Sequence, residues 1–413
     1  MDRAPRRGAT EVAEPAATRG HSPPHPTPVG DSPRVLILFS DTGGGHRAAA
    51  KALTDALHQL DPTCVITVAD PLIGQGPAIT RRLAALYSPL IRRSRAAWGA
   101  VYHSSNTKAT FAAIRAVFGR GVRKVVADLL RRHDPDVVLS VHPMLNHISY
   151  QAIRRSGRAR ALMTVITDLV DFHRGWTFSQ ADLVIAPTER AKRVALRRRV
   201  PPDRIKLLGL PVDLRFRPPA PGEKRALRRR FGLDEERFTV LVMGGGAGVG
   251  PLERQVRALA WEPYQWQVVV VCGRNEKLRR RLTETRFSTP ALVLGFVEYM
   301  PELMRACDMV VTKAGPGAIA EALATSLPLI ITGFLPGQES PNVDFVVEAG
   351  IGAFAPKEGD LFDEVRVLAE GGPTWRDMSR RAAELAHPYA SADIARECLF
   401  LAARYRASTQ ASR

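Results

Sequence analysis

Apolar residues fall in short unbroken runs, with stretches of helical period between them. The first run, Val35–Phe39, stops at Ser40-Asp41 and reads as a strand buried on both faces. It runs into Thr42-Gly43-Gly44-Gly45-His46, after which apolar positions recur at helical spacing from Arg47 to Leu60. Cys64–Ala69 is predicted as the next strand and closes a β-α-β unit. Further strands are expected at Val137–Val141, Leu162–Thr167 and Leu183–Ala186. The pattern lapses in the proline-rich stretch from Gly209 to Gly222, which reads as a linker. It restarts with Phe238–Met243, which runs into the glycine-rich turn Gly244–Gly250. Val268–Cys272, Leu292–Gly295, Met309–Thr312 and Leu329–Thr332 complete the expected strands.

Strands alternating with helices imply doubly wound parallel sheets, and each half opens with a strand, a glycine-rich turn and a helix. The expected architecture is α/β, two Rossmann-like domains facing a cleft. Residues 34–212 form the first domain, 213–222 the linker and 223–385 the second, with a C-terminal helix in 386–413 packing back on the first. Residues 1–33 are rich in Pro, Arg, Ala and Ser and lack an apolar segment of the secretory type. They are expected to be a disordered tail.

With 413 residues the chain is long enough for two cores. No apolar run approaches the roughly 18 residues of a membrane-spanning helix. The formal net charge of +18 favours an anionic partner: a phosphate-bearing substrate, an anionic bilayer or nucleic acid. Cys64, Cys272, Cys307 and Cys398 have neither a redox nor a zinc spacing, which fits a reduced, cytoplasmic protein.

Gly43, Gly44 and Gly45 bring backbone N–H groups to a helix start, where an anion is favoured. Gly43-x-Gly45-x-x-Ala48 fits a relaxed dinucleotide fingerprint, with Asp70 at the end of the second strand. A nicotinamide-dependent oxidoreductase is therefore one reading of this turn. His46 points to another, because a histidine at the cleft mouth can take a proton from a hydroxyl near neutral pH. In the second half, Gly315-Pro316-Gly317 opens a helix after a strand and suits a diphosphate. Glu321 lies one turn inside, placed for ribose hydroxyls. No Gly-Lys-Ser/Thr follows, so this is not a Walker loop. Gln338, Glu339 and Asn342 gather the mixed donors and acceptors that sugar hydroxyls need.

These residues, in this order, resemble the monogalactosyldiacylglycerol synthases and the related bacterial diacylglycerol glucosyltransferases. A more distant resemblance is to the UDP-GlcNAc transferase of peptidoglycan lipid II synthesis. The matching segments are Ser40–Ala48, Leu139–Pro143, Thr164–Leu169, His173–Trp176, Gly209–Pro211, Met243–Pro251, Cys272–Asn275, Thr312–Ala322 and Pro336–Asn342. They span nearly everything from Val35 to about Gly352, and are closer to the plant-type galactolipid enzymes. The resemblance implies a GT-B fold and an inverting, metal-independent and cofactor-free transfer of a hexose, galactose in preference to glucose, from a UDP-sugar to diacylglycerol. It makes His46 the base. Gly44, Gly45, Gly245, Gly246, Arg274, Lys313, Gly315, Pro316, Gly317 and Glu321 become donor-binding positions, with Phe296 and Val297 near the uracil. Gln338, Glu339 and Asn342 become sugar contacts and Trp176 a lipid contact. The chain departs from the family at Pro341, which replaces a usual glycine, and from about Ile73 to Arg120, which match poorly.

That poorly matching stretch has its own signature. No acidic residue occurs between Asp70 and Asp128, while Arg92, Arg93 and other basic residues alternate with Trp98 and other aromatics. Such a segment suits an anionic membrane surface. It is expected to dock the protein peripherally on the inner face of the membrane, away from the cleft residues. No nucleic-acid module is recognisable. Arg197–Arg199 and Arg228–Arg230 read as solvated helix faces, and Asp134-Pro135-Asp136 as a turn.

Overall fold

Along β1 (Arg34–Leu38) alternate side chains enter different cores, because successive residues of a strand face opposite sides of a sheet. Leu36 and Leu38 join one cluster with Val122, Val126 and Leu129. Val35 and Ile37 join another with Leu53 and Leu57. This two-sided burial explains why the strand is continuously apolar. A computed structural model describes residues 32–41, 44–82, 95–245 and 251–411. Arg92, Arg93, Gly246 and the N-terminal tail lie outside the described residues.

The first half continues with α1 (Gly45–Leu60), β2 (Val65–Ala69), α2 (Arg95–Ser105), α3 (Lys108–His133), β3 (Val137–Ser140), α4 (Asn146–Arg155), β4 (Ala161–Val165), β5 (Leu183–Ala186), α5 (Glu189–Arg197) and β6 (Ile205–Leu207). The second half runs α6 (Glu223–Arg230), β7 (Phe238–Met243), α7 (Leu252–Ala260), β8 (Trp266–Val271), α8 (Glu276–Glu284), β9 (Ala291–Leu294), α9 (Met300–Ala306), β10 (Met309–Thr312), α10 (Pro316–Ala324), β11 (Leu329–Ile331), α11 (Ser340–Glu348), β12 (Gly352–Phe354), α12 (Glu358–Ala369), α13 (Pro373–Leu385) and α14 (Ala390–Ala411). Among the described residues the strands form two parallel six-stranded sheets, ordered β2-β1-β3-β4-β5-β6 and β12-β11-β10-β7-β8-β9. The short edge strands β6 and β12 carry too few residues to stand out from periodicity.

The chain crosses between the sheets twice. Leu210, Val212 and Phe216 of the proline-rich stretch bury in the core of the second sheet, so this part of the stretch is packed structure. On the return, Ile394, Ala395, Cys398, Leu401 and Ala402 of α14 complete the core of the first sheet beside α1. Each large aliphatic residue buried there contributes roughly 1.5–3 kcal/mol. The two crossings meet at Gly209, whose φ is +93° and where a β-carbon would stand 2.3 Å from Cβ of His387. The Ser391 hydroxyl ties them by donating to the Val212 carbonyl at 2.6 Å.

Two arginine runs differ from expectation. Arg228 is buried, paired with Asp308 and donating to the carbonyls of Ala306 (2.9 Å) and Glu235 (2.8 Å). Arg198 donates to the Phe172 carbonyl at 2.7 Å and pairs with Asp171. Each run thus turns one residue inward, Arg228 at the start of its run and Arg198 in the middle of its own, to satisfy groups from distant segments. Asp134 and Asp136 of the turn before β3 engage Arg158, and Asp134 also pairs with Arg160.

Candidate active site

In a doubly wound sheet ligands bind beyond the strand C-termini where the strand order reverses. In the first sheet that point lies between β1 and β3. Gly44 leaves β1 with φ +85°, a left-handed conformation open to glycine, and α1 starts at once. His46 is therefore on the first helical turn, directly over the reversal. The segment after β3 brings His142 to a ring-centroid distance of 4.7 Å, and Trp176 lies at 6.1 Å. From the end of β4, Thr167 Oγ1 stands 3.0 Å from His46 Nδ1, and the Val141 carbonyl also accepts from the ring. Burial outweighs that carbonyl and pulls the imidazole pKa down to about 4, so the ring is neutral at pH 7.

Next along the chain, the Asp168 carboxylate accepts the Trp176 indole N–H at 2.7 Å and a hydrogen bond from the Gln338 side chain. Burial raises the Asp168 pKa to about 6, against those two hydrogen bonds and with help from Glu339 and Asp171. Trp176 is fully buried. Its expected role in touching lipid does not fit this geometry, because an enclosed indole presents no surface to an acyl chain. It is the floor under His46.

The second sheet reverses between β7 and β10. Gly245 follows β7 with φ +71° and faces the Lys313 side chain beyond β10. Lys313 Nζ donates to Glu339 Oε1 at 2.6 Å, and Glu339 Oε2 accepts the Leu335 N–H at 2.8 Å. Gly315 precedes α10, where Pro316 suits the first helical position and Gly317 follows. No acidic residue of the helix itself occupies that first turn, and the carboxylate beside Gly315, that of Glu339, is held by Lys313. Glu321, one turn in, has its pKa raised to about 8, chiefly by burial and secondly by Asp213. The Phe296 ring is 54% exposed and carries the Arg274 guanidinium at 4.9 Å, a flat platform for a base, while Val297 packs into the core. A 670 Å³ cavity opens beside the Pro336 loop, against Arg254 and Phe334.

Of the sugar candidates, Gln338 reaches across the cleft to Asp168. Glu339 and Asn342 are buried and bonded within their own half; the Asn342 amide donates to the Ala314 carbonyl at 2.9 Å. They hold the Pro336–Gln338 loop against the end of β10.

The acid-free segment is not remote from the cleft, as expected above, because α2 packs on this loop. A β-carbon on Gly99 would lie 3.1 Å from Cβ of Pro336, and one on Gly337 2.9 Å from the Tyr102 ring. Trp98 lies one turn from Tyr102 in the same wall, ring centroids 6.4 Å apart. Sequence reasoning assigned no role to Thr167, Asp168 or His142. Their signal was a polar residue directly after a buried strand in the half that carries the base.

A profile described as monogalactosyldiacylglycerol (MGDG) synthase matches residues 46–212, and the glycosyltransferase family 28 C-terminal domain matches 239–350. The chain is 37% identical over 374 residues to a probable monogalactosyldiacylglycerol synthase, chloroplastic, of Glycine max, covering 87% of this chain and 70% of that protein. It is 35% identical over 371 residues to monogalactosyldiacylglycerol synthase 1, chloroplastic, of Arabidopsis thaliana, covering 86% and 69%. Among solved structures, MurG of Acinetobacter baumannii superposes with a TM-score of 0.57 at 14% identity, over 89% of this chain and 99% of that one. At such identity this likeness speaks for the fold alone, and the fold is the expected GT-B. No helix among the described residues is long and apolar enough to cross a membrane.

Proposed function

The chain belongs to the monogalactosyldiacylglycerol synthase family, and we propose that it moves galactose from UDP-galactose to diacylglycerol with His46 as general base. The observation that carries the assignment is a neutral imidazole at the reversal point of one sheet, together with a glycine-helix turn at the reversal point of the other. In the tautomer whose Nδ1–H donates to Thr167 Oγ1, the Nε2 lone pair is left for the acceptor hydroxyl.

In the proposed step Nε2 takes the hydroxyl proton as that oxygen attacks the anomeric carbon. The bond to the UDP β-phosphate oxygen breaks with its electron pair. The α10 N-terminus and Lys313 stabilise the charge on departing UDP. One displacement from an α-linked donor yields a β-galactoside, and the imidazolium returns its proton to water. Phe296 with Arg274 supports the uracil and Glu321 the ribose. The basic, aromatic stretch around α2 and α3 supports docking on an anionic membrane surface, peripherally and from the cytoplasmic side.

The test is turnover on diacylglycerol vesicles with UDP-galactose and UDP-glucose, with the product's anomeric configuration read by NMR. His46→Ala should lower turnover by roughly 10²–10⁴ and leave UDP affinity unchanged. An α-linked product, preference for UDP-glucose, or a fully active His46→Ala variant would each overturn the corresponding part.

A further inference from the structure

Asp168 stands apart among the buried carboxylates of the described residues. Asp136 pairs with Arg158, Asp308 with Arg228 and Lys224, and Glu339 with Lys313. Asp70 accepts backbone N–H groups from Asp41, Leu72 and Ile73. Asp168 is as buried as these, yet among the described residues it forms no ion pair. The cations on either side of it are engaged elsewhere, Arg198 with Asp171 and Lys313 with Glu339. Its hydrogen bonds come from two side chains, the Trp176 indole of its own domain and Gln338 of the other. A carboxylate has roughly four acceptor positions, so about half of its capacity is left over. A buried carboxylate in that state costs free energy, which a further donor recovers.

Its place in the cleft says what that donor is. On one side Asp168 directly follows Thr167, whose Oγ1 stands 3.0 Å from His46 Nδ1, and it shares Trp176 with the base. On the other side Gln338 leads to Glu339 and Lys313, and these reach the diphosphate turn. A β-carbon on Gly315 would lie 3.5 Å from Lys313 Nζ and 3.8 Å from Glu339 Oε1. Asp168 therefore lies between the base and the turn assigned to the departing diphosphate. In the proposed reaction the transferred hexose occupies that interval, because its anomeric carbon is bonded to the diphosphate and faces the hydroxyl beside His46. A hexose presents hydroxyl donors, and O–H groups giving to a carboxylate make the stronger, charge-assisted kind of hydrogen bond.

We infer that Asp168 accepts a hydrogen bond from a hydroxyl of the transferred hexose, and is a specificity-determining residue supplied by the domain opposite the one that holds UDP. The inference rests on the reading of the cleft as a UDP-hexose site. Gln338 occupies the carboxylate in the empty cleft and hands it to the sugar, turning its own amide to a second hydroxyl. UDP alone makes no use of Asp168, so the residue adds affinity only to a nucleotide that carries a sugar. With its pKa raised to about 6 by burial, Asp168 is a charged acceptor at pH 7.5.

The experiment is a cycle between protein and ligand, run by calorimetry on the full chain at pH 7.5. The proteins are wild type, Asp168→Asn, Asp168→Glu and Asp171→Asn, the last a control of equal charge loss in the same loop, where Asp171 pairs with Arg198. The ligands are UDP, UDP-galactose, UDP-glucose and the UDP-hexoses lacking one hydroxyl at C2, C3, C4 or C6. Wild-type turnover with UDP-galactose and UDP-glucose reads the functional assignment separately and chooses the deoxy series, so its failure does not pass for a failure of Asp168. Asp168→Asn and Asp168→Glu should bind UDP as wild type does and the UDP-hexose at least about tenfold more weakly, the order expected when a charge-assisted hydrogen bond is lost. One deoxy analogue should bind wild type at least about tenfold more weakly than its parent, and that handicap should shrink at least about fivefold in Asp168→Asn. Asp171→Asn should keep the wild-type pattern. Comparing each analogue on both proteins removes any general loosening of the cleft, which weakens all analogues by one factor. If every analogue carries the same handicap on Asp168→Asn as on wild type, or if UDP weakens as much as the UDP-hexose, Asp168 touches no sugar hydroxyl.

Discussion

Asp168→Asn should make the protein more stable and less active, and the structure gives the size of the first effect. The Asp168 carboxyl is 8% exposed, and its burial raises the pKa from an ordinary 3.8 to about 6. At 1.36 kcal/mol per pH unit, the charged form is disfavoured in the folded protein by roughly 3 kcal/mol. A carboxyl whose folded pKa is raised binds protons more tightly in the folded state. Its contribution to stability is therefore complete below pH 3.8 and is lost as pH rises to about 6. Asparagine keeps an oxygen to accept the Trp176 indole N–H and removes the charge. The gain in stability should therefore be absent near pH 4, grow to about pH 6 and stay level above. For a domain of this size, 1 kcal/mol moves Tm by roughly 2–4 °C, so an increase of several degrees is expected at pH 7.5. Turnover should fall, because the carboxylate also positions Gln338 across the cleft and Trp176 under His46. Calorimetric scans at pH 4, 6 and 7.5, with kcat and KM for UDP-galactose on the same samples, check both halves. An unchanged Tm at pH 7.5, or an equal increase at pH 4, would refute the reasoning about burial. A rise in Tm with unchanged turnover would refute the positioning role.

Glu321, with its pKa raised to about 8, is protonated at neutral pH, whereas ribose hydroxyls donate to a carboxylate. UDP affinity should therefore increase with pH up to about 8 and level off above it, with proton release on binding. Titrations in buffers of different ionisation heat check this, and Glu321→Gln should flatten the profile. Gln338→Ala should alter discrimination between UDP-galactose and UDP-glucose at little cost in stability. Glu339→Ala should lower Tm and weaken all UDP-sugars together, since it strips Lys313 and the Leu335 N–H of their partner. Gly209→Ala should destabilise the protein by at least about 2 kcal/mol in chemical denaturation, combining a positive φ with the 2.3 Å approach to His387.

The sequence by itself determined the features that are local along the chain. Val35–Phe39 and Phe238–Met243 announce buried strands because parallel strands covered on both faces must be apolar throughout. Gly44 and Gly245 announce turns because their backbones enter the left-handed region. His46, Lys313 and Glu321 could be singled out because each stands at a fixed short distance from such a turn. The contacts that make these residues a site are between segments far apart in sequence. Thr167 meets His46 because β4 lies two places from β1 in the sheet, and neither residue carries any mark of the other. Asp168 and Gln338 meet across the two halves, and α2 lies against Gly337. Burial was equally invisible. Glu339 looks like any polar turn residue until the ends of β10 and β11 enclose it, and Arg228 looks solvated until Asp308 is brought to its side. Strand order and burial are properties of the assembled sheets, whose hydrophobic energy depends on area covered and not on which distant residues cover it. Periodicity could therefore say what each segment becomes, and only the packed structure could decide which segments face one another.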